Sequence, residues 1–247
     1  MHPITHLPTG KTRTPPSTSL KKHVAKEAAW LLYTSQEKEY KQAKRRAAQT
    51  LGARVLPSNI EVAEEMDKLA EEIEGVSRQE VLLRMRREAL QIMKVLEGFH
   101  PKLVGSVWRG TAHRNSDIDI RAFSSHPELI VTKLQKDNFE IVKSEWRSVT
   151  KRGKTESSFH VYLALPSGDE AEIVVRNSEK REEKERCEIY GDTVSGLDYP
   201  QLLRVLKENP LQKFVPEHGR MTSRAVKLQK IIEKGTELLG WGRAKLA

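Results

Sequence analysis

The period of the apolar pattern changes at Gly98, from helical steps to short alternating runs that give way to helix again near residue 198, and that sequence of textures restricts the chain to an α+β architecture. From Leu20 to Glu97 apolar residues recur at steps of three and four among Ala, Leu, Glu, Lys and Arg, which is the texture of amphipathic helices. Ser58 with Glu61, and Ser77 with Glu80, read as capping boxes, and Gly52, Gly75 and Gly98 stand where helices should stop. The spacing predicts helices over about 19–34, 36–51, 58–74 and 78–97.

Beyond Gly98 the runs shorten and alternate. Lys102 to Ser106 and Asp117 to Phe123 read as strands joined by a polar loop, followed by a helix near 127–137 and a strand near 139–145. Phe159 to Leu165 and Glu170 to Val175 flank Pro166-Ser167-Gly168-Asp169, a hairpin signal, and helices are expected near 198–208 and 222–239. The organisation is thus a flexible basic arm over 1–18, a helical region over 19–98, a mixed-sheet core over 99–180 and a carboxyl-terminal helical region over 181–247.

The net charge of +9 is concentrated at the ends. Residues 1–60 carry +8 and residues 207–247 carry +5, leaving the middle at −4. Basic ends around a mildly acidic center suit a polyanionic partner held away from the reacting atoms, while the competing reading is simply a solvated helical surface. Lys38, Lys41, Lys44, Arg45 and Arg46 fall at spacings that place several on one helical face, a stripe able to track a phosphate backbone. The single cysteine, Cys187, rules out an intramolecular disulfide and suits a reducing compartment. No apolar run is long enough to span a bilayer, so the expectation is a cytoplasmic protein without membrane contact, with organellar import as the alternative.

The chemistry centers on Asp117-Ile118-Asp119. On a strand, the period of two puts both carboxylates on one face while Ile118 and Ile120 point to the other. Carboxylates crowded in this way repel unless a cation lies between them, and hard divalent ions take oxygen ligands of this kind. Metal-binding His clusters, a Ser-His-Asp order and a Walker-type loop are absent from the sequence.

The segment before this pair carries Gly105-Ser106, then Arg109-Gly110-Thr111 and Ser116 ahead of Asp117 and Asp119. This pattern, with Ala171-Glu172-Ile173-Val174-Val175 farther on, resembles that of the DNA-polymerase-β-like nucleotidyltransferase superfamily over Lys102 to Arg176. The resemblance implies a mixed-sheet nucleotidyltransferase core and a metal site of Asp117, Asp119 and Glu172, holding Mg²⁺ or Mn²⁺ and acting on an NTP such as ATP. It implies that Gly105 and Ser106 hold triphosphate, and that Arg109 either offsets phosphate charge or braces the loop. Glu172 stands where the family has an aspartate, with Glu170 and Asp169 as alternatives. The activity implied is transfer of an NMP to a hydroxyl with release of pyrophosphate, to an RNA 3′ end, tRNA included, or else to a protein or small molecule. The other functional class is an RNA- or nucleotide-binding protein that keeps the scaffold without the catalysis.

Overall fold

The computed structural model describes residues 17–151 and 154–216. The chain divides into a unit ending at Phe214 and a second unit starting at Val215, most of which lies outside the described residues, as do the expected helix near 222–239 and all of the 1–18 arm except Ser17 and Thr18. The first unit runs α1 (Ser17–Tyr33), α2 (Tyr40–Thr50), α3 (Asn59–Glu74), α4 (Val76–Val95), β1 (Lys102–Val104), α5 (Gly105–Arg109), β2 (Ile118–Phe123), α6 (Pro127–Lys136), β3 (Glu140–Lys151), β4 (Lys154–Ala164), β5 (Glu170–Arg176) and α7 (Tyr199–Glu208). The five strands form one mixed sheet in the order β1-β2-β5-β4-β3, so the class is α+β.

The sheet alternates as its sequence demands. Ile118, Ile120 and Ala122 of β2 and Ala171, Ile173 and Val175 of β5 are buried, while Asp119, Arg121, Glu172 and Arg176 share the opposite face. The buried face packs on Met85, Ala89 and Ile92 of α4, Ile130 and Leu134 of α6, and Leu202 and Val205 of α7. Helices α1 to α3 enclose a second, alanine-rich core around Val24, Ala28, Ala43, Ala47 and Val62.

Local signals fare unequally. Ser58 and Glu61 form the expected capping box at the start of α3. The box expected at Ser77 does not form, because Gly75 both ends α3 and starts α4, which leaves Ser77 inside the helix with its hydroxyl donating to Glu74 O at 2.7 Å. At Gly98 the helix has already ended, and His100 takes the left-handed conformation instead, with φ 48°. The polar loop expected after β1 begins with the short helix α5.

Two buried arginines of α4 hold that segment. Arg86 is fully buried and donates to Val107 O (3.1 Å), Trp108 O (3.0 Å), Pro210 O (2.6 Å) and Gln212 O (2.8 Å). Arg78, two turns earlier and 4% exposed, donates to Thr111 O and Ala112 O at 2.9 Å each and pairs with Asp67 and Glu71. A five-residue helix has more orphan carbonyls than internal bonds, so these side chains complete what its backbone cannot. Burial without a carboxylate partner lowers the Arg86 guanidinium to about 10, still charged at neutral pH. Removing it strands several buried carbonyls at once. We expect Arg86→Met to lose on the order of 3–5 kcal/mol in urea unfolding, and Arg86→Lys, which lacks the fork, to recover less than half of it; wild-type stability in either variant contradicts this role.

Candidate active site

Asp119 and Glu172 lie side by side because β2 and β5 are parallel and in register at these two residues. The line of register continues to Val104 of β1, opposite Asp119, and to Tyr162 of β4, opposite Glu172. Asp117 immediately precedes β2 and has the parity of Asp119. Glu170, the alternative third acid, has the parity of Glu172, whereas Asp169 is engaged by Arg84 through two bonds of 2.8 Å.

Gly105 fits against this row. The chain turns from β1 into α5 there with φ 69°, which glycine adopts without strain. A Cβ at this position would overlap Asp119 Oδ2 and stand 2.8 Å from its Cγ. Gly110 closes α5 under a similar constraint, since a Cβ there would come within 2.7 Å of Gln212 O. The backbone of α5 therefore approaches the carboxylates as closely as sterics allow.

The carboxylates are under electrostatic pressure. Burial, then Glu172 and Asp117, push Asp119 up to about 7, against a smaller opposing effect of Arg121. Asp117 is more open to solvent yet is raised as well, by desolvation and then by Glu170 and Glu172, with Lys38 opposing. Glu172 Oε1 accepts from His160 Nδ1 at 2.6 Å and from Tyr162 Oη at 2.7 Å. Burial, reinforced by Glu172, raises the Tyr162 phenol and keeps it a donor. Arg147 lies over the Tyr162 ring at 5.3 Å with Nη1 4.0 Å from Glu172 Oε1.

The donor set suits a hard divalent cation in kind, being a row of oxygens short of positive charge, with Asp117 and Asp119 as the natural ligands and Glu172 beside them. As they stand, no three His, Cys, Asp or Glu side chains among the described residues are gathered around one point in the way a closed metal site requires.

The row separates two openings. A cavity of about 990 Å³ is lined by Lys38, Lys41 and Lys44 of the helical region together with Gly105, Ser106 and Asp119. A groove of about 250 Å³ holds Asp117, Glu170, Glu172, Lys143, Arg147 and Tyr162. Three lysines of the stripe read from the sequence thus face the cavity, while Arg46 pairs with Glu37 at 3.1 Å. Arg109 is 4% exposed, pairs with Asp192 through bonds of 2.7 and 3.0 Å, donates to Phe214 O and lies between the rings of Trp108 and Tyr190. This is the internal ion pair of a brace, and Arg109 also lines the large cavity.

His160, Tyr162, Arg147, Arg121 and Arg176 stand beside the candidate row or line its openings and were not read from the sequence. Arg121 and Arg176 line the large cavity and share Glu185, at 2.7 and 3.2 Å. A signal for the first two exists in Ser158-Phe159-His160-Val161-Tyr162-Leu163, where polar side chains occupy every second position of an apolar strand. Lys213, farther along the chain, pairs with Asp67 at 2.7 Å.

Among the described residues, no helix is long and apolar enough to cross a membrane. No curated protein matches the sequence. Solved structures to which the chain is similar include the Cid1 poly(U) polymerase bound to MgATP, at 17% identity and a TM-score of 0.29 over 46% of this chain and 38% of that one. Another is the GLD-2/RNP-8 complex, at 16% identity and a TM-score of 0.30 over 48% and 44%. A third is a cytoplasmic RNA terminal U-transferase, at 17% identity and a TM-score of 0.27 over 46% and 35%. This chain covers less than half the length of each. Residues 87–190, which include α5, the three carboxylates, His160 and Tyr162, match the family model described as the nucleotidyltransferase domain. Over that segment, which is less than half of the chain, the sequence is that of a nucleotidyltransferase domain.

Proposed function

We propose that this protein moves a nucleoside monophosphate from an NTP to a hydroxyl at the 3′ end of an RNA, tRNA among the candidates, with Mg²⁺ or Mn²⁺ as cofactor. The observation that carries this reading is the row Asp117, Asp119 and Glu172, set between a lysine-lined cavity and an open groove. The cavity suits a triphosphate, because Lys38 and Lys41 bring charge while the backbone at Gly105 and Ser106 approaches closely enough to donate N–H groups. Any NTP, ATP included, presents the same triphosphate to these groups. The groove suits the acceptor.

Asp117 and Asp119 would hold the ions, and bound divalent cations supply Lewis-acid activation of the hydroxyl and stabilisation of the leaving pyrophosphate. Glu172 orients the acceptor hydroxyl and takes its proton as the oxygen attacks the α-phosphorus; the bond from that phosphorus to the pyrophosphate oxygen breaks and pyrophosphate leaves. Lys38 and Lys41 neutralise the departing charge. Arg109, paired internally, holds the segment from which Gly105 and Ser106 act. The basic ends of the chain, at +8 and +5, support a long polyanionic acceptor, and a reducing compartment such as the cytoplasm is consistent with the lone Cys187.

Incubation with each labelled NTP, Mg²⁺ or Mn²⁺ and mixed RNA, followed by sequencing of the 3′ ends, tests the reading. We expect extended RNA from the wild type and at least a 10³-fold loss in Asp117→Ala and Asp119→Ala. Label that enters protein or a small molecule, or enters nothing, overturns the RNA assignment. Gly105→Ala drives a methyl into Asp119, and transfer is expected to fall at least 10²-fold; near-normal activity would show that the α5 approach is not required.

The raised Asp119 also makes a stability prediction. A carboxyl whose folded value exceeds its unfolded value stabilises at low pH and loses that contribution as pH rises through the folded value, here between about 4 and 7. In EDTA at pH 8, Asp119→Asn should therefore be more stable to unfolding than wild type by roughly 4 kcal/mol, and melt at a higher temperature. The gap should close toward pH 4, and Mg²⁺ should stabilise only the wild type. Equal melting curves across this range would remove the charge-repulsion account.

A further inference from the structure

We propose that His160 and Tyr162 are positioning residues that fix one oxygen of Glu172, so that this chain uses a glutamate where the shorter aspartate could not be held. The inference rests on the reading of Glu172 as part of the catalytic row.

Both residues come from β4, two apart and on the same face, with Tyr162 directly across from Glu172 and His160 one diagonal step away, opposite Val174. Their donors converge on a single atom, Oε1, at 2.6 and 2.7 Å. Among the described residues no hydrogen bond reaches Oε2. His160 Nε2 meets Ser158 Oγ at 2.8 Å, and the network is consistent if Ser158 donates to Nε2 while Nδ1–H donates to Glu172. Every donor in the chain Ser158, His160, Glu172 then points toward the carboxylate.

Arg147 caps the arrangement from β3, lying over the Tyr162 ring and held in turn by Glu145 at 2.8 Å. The carboxylate is left with one committed oxygen and one free to face an ion or a hydroxyl. Convergence on one oxygen is what distinguishes a brace from ordinary solvation of an acid.

Length decides why this works with glutamate. An aspartate would draw the carboxylate back by roughly 1.5 Å, one carbon–carbon bond. From 2.6 and 2.7 Å, both contacts would then pass the limit of useful hydrogen bonding. Glu172 and its two donors therefore form one unit, and removal of either part should cost about as much as removal of both.

The test uses the full chain, with Mn²⁺ affinity read by electron paramagnetic resonance and transfer read as separate kcat and KM for the NTP. His160→Ala, Tyr162→Phe and Glu172→Asp are each expected to weaken Mn²⁺ binding and lower kcat by about 10- to 100-fold, with KM within about threefold. Adding Glu172→Asp to His160→Ala should cost less than a further threefold. His160→Asn, whose amide places a donor near the position of Nδ1, should recover most of the loss.

Multiplicative losses in the double variant overturn the brace, as does wild-type behaviour of Glu172→Asp, even if wild-type transfer is normal. A wild type that binds no Mn²⁺ and extends no RNA overturns the catalytic reading itself, and the brace with it. Matching losses of thermal stability in His160→Ala and His160→Asn, without recovery of Mn²⁺ affinity in the latter, assign His160 a merely structural role and also overturn it.

Discussion

Everything near the site depends on how the backbone from Val107 to Ala112 is held. This stretch contains the last three residues of a five-residue helix and a turn, too little regular structure to satisfy its own carbonyls, and it sits against a row of acids. Arg86, Arg78 and Arg109 solve both difficulties together. Arg86 and Arg78 satisfy Val107, Trp108, Thr111 and Ala112 from α4, while Arg109 ties the end of α5 to Asp192 and Phe214. Three buried cations are expensive by themselves, and each is stabilised only by a full set of acceptors. The segment is consequently rigid by construction, because any looser arrangement would leave a buried guanidinium unpaired.

That rigidity is what allows Gly105 to stand against Asp119. An unconstrained turn would relax away from a carboxylate that burial, and then its acidic neighbours, raise to about 7. The fold therefore holds negative charge in a place it would otherwise avoid, with the local destabilisation offset by burial in α4, α6 and α7 on the far side of the sheet. Ion binding would reverse the sign of this interaction, turning mutual repulsion of the acids into shared attraction.

Most of the sheet was legible in the sequence because its central strands obey a strict period of two. Ile118, Ile120, Ile173 and Val175 had to be buried, which placed Asp119 and Glu172 on the same face before any pairing was known. The outer strands were read too short. Beyond Trp146 and before Phe159, β3 and β4 pair only with each other and carry polar or exposed side chains, so no apolar alternation marks them. Helix α5 was missed because five residues cannot show a helical period, and its carbonyls are satisfied by Arg86, about twenty residues away. Ser77 was misassigned because a capping signal says nothing about where the preceding helix ends, and Gly75 left no gap for it to fill.

The site itself was half legible, and the boundary has a physical basis. Candidate residues on the strand carrying the motif, or on its immediate neighbour in register, are placed by parity; Asp117, Asp119 and Glu172 are of this kind. Residues brought in by a cross-strand diagonal, such as His160, require knowledge of which strands pair and in which direction. Lys38, Lys41 and Lys44 add a further requirement, since their helical face could be read but not what it opposes. A basic stripe looks the same whether it meets a long phosphate backbone in solvent or closes one wall of a cavity over a triphosphate. Only the packing of α1 to α3 as a unit with its own core, placed beside the sheet, brings these lysines to Ser106 and Asp119. The helical region is thus a wall of the candidate site as well as a flank of it.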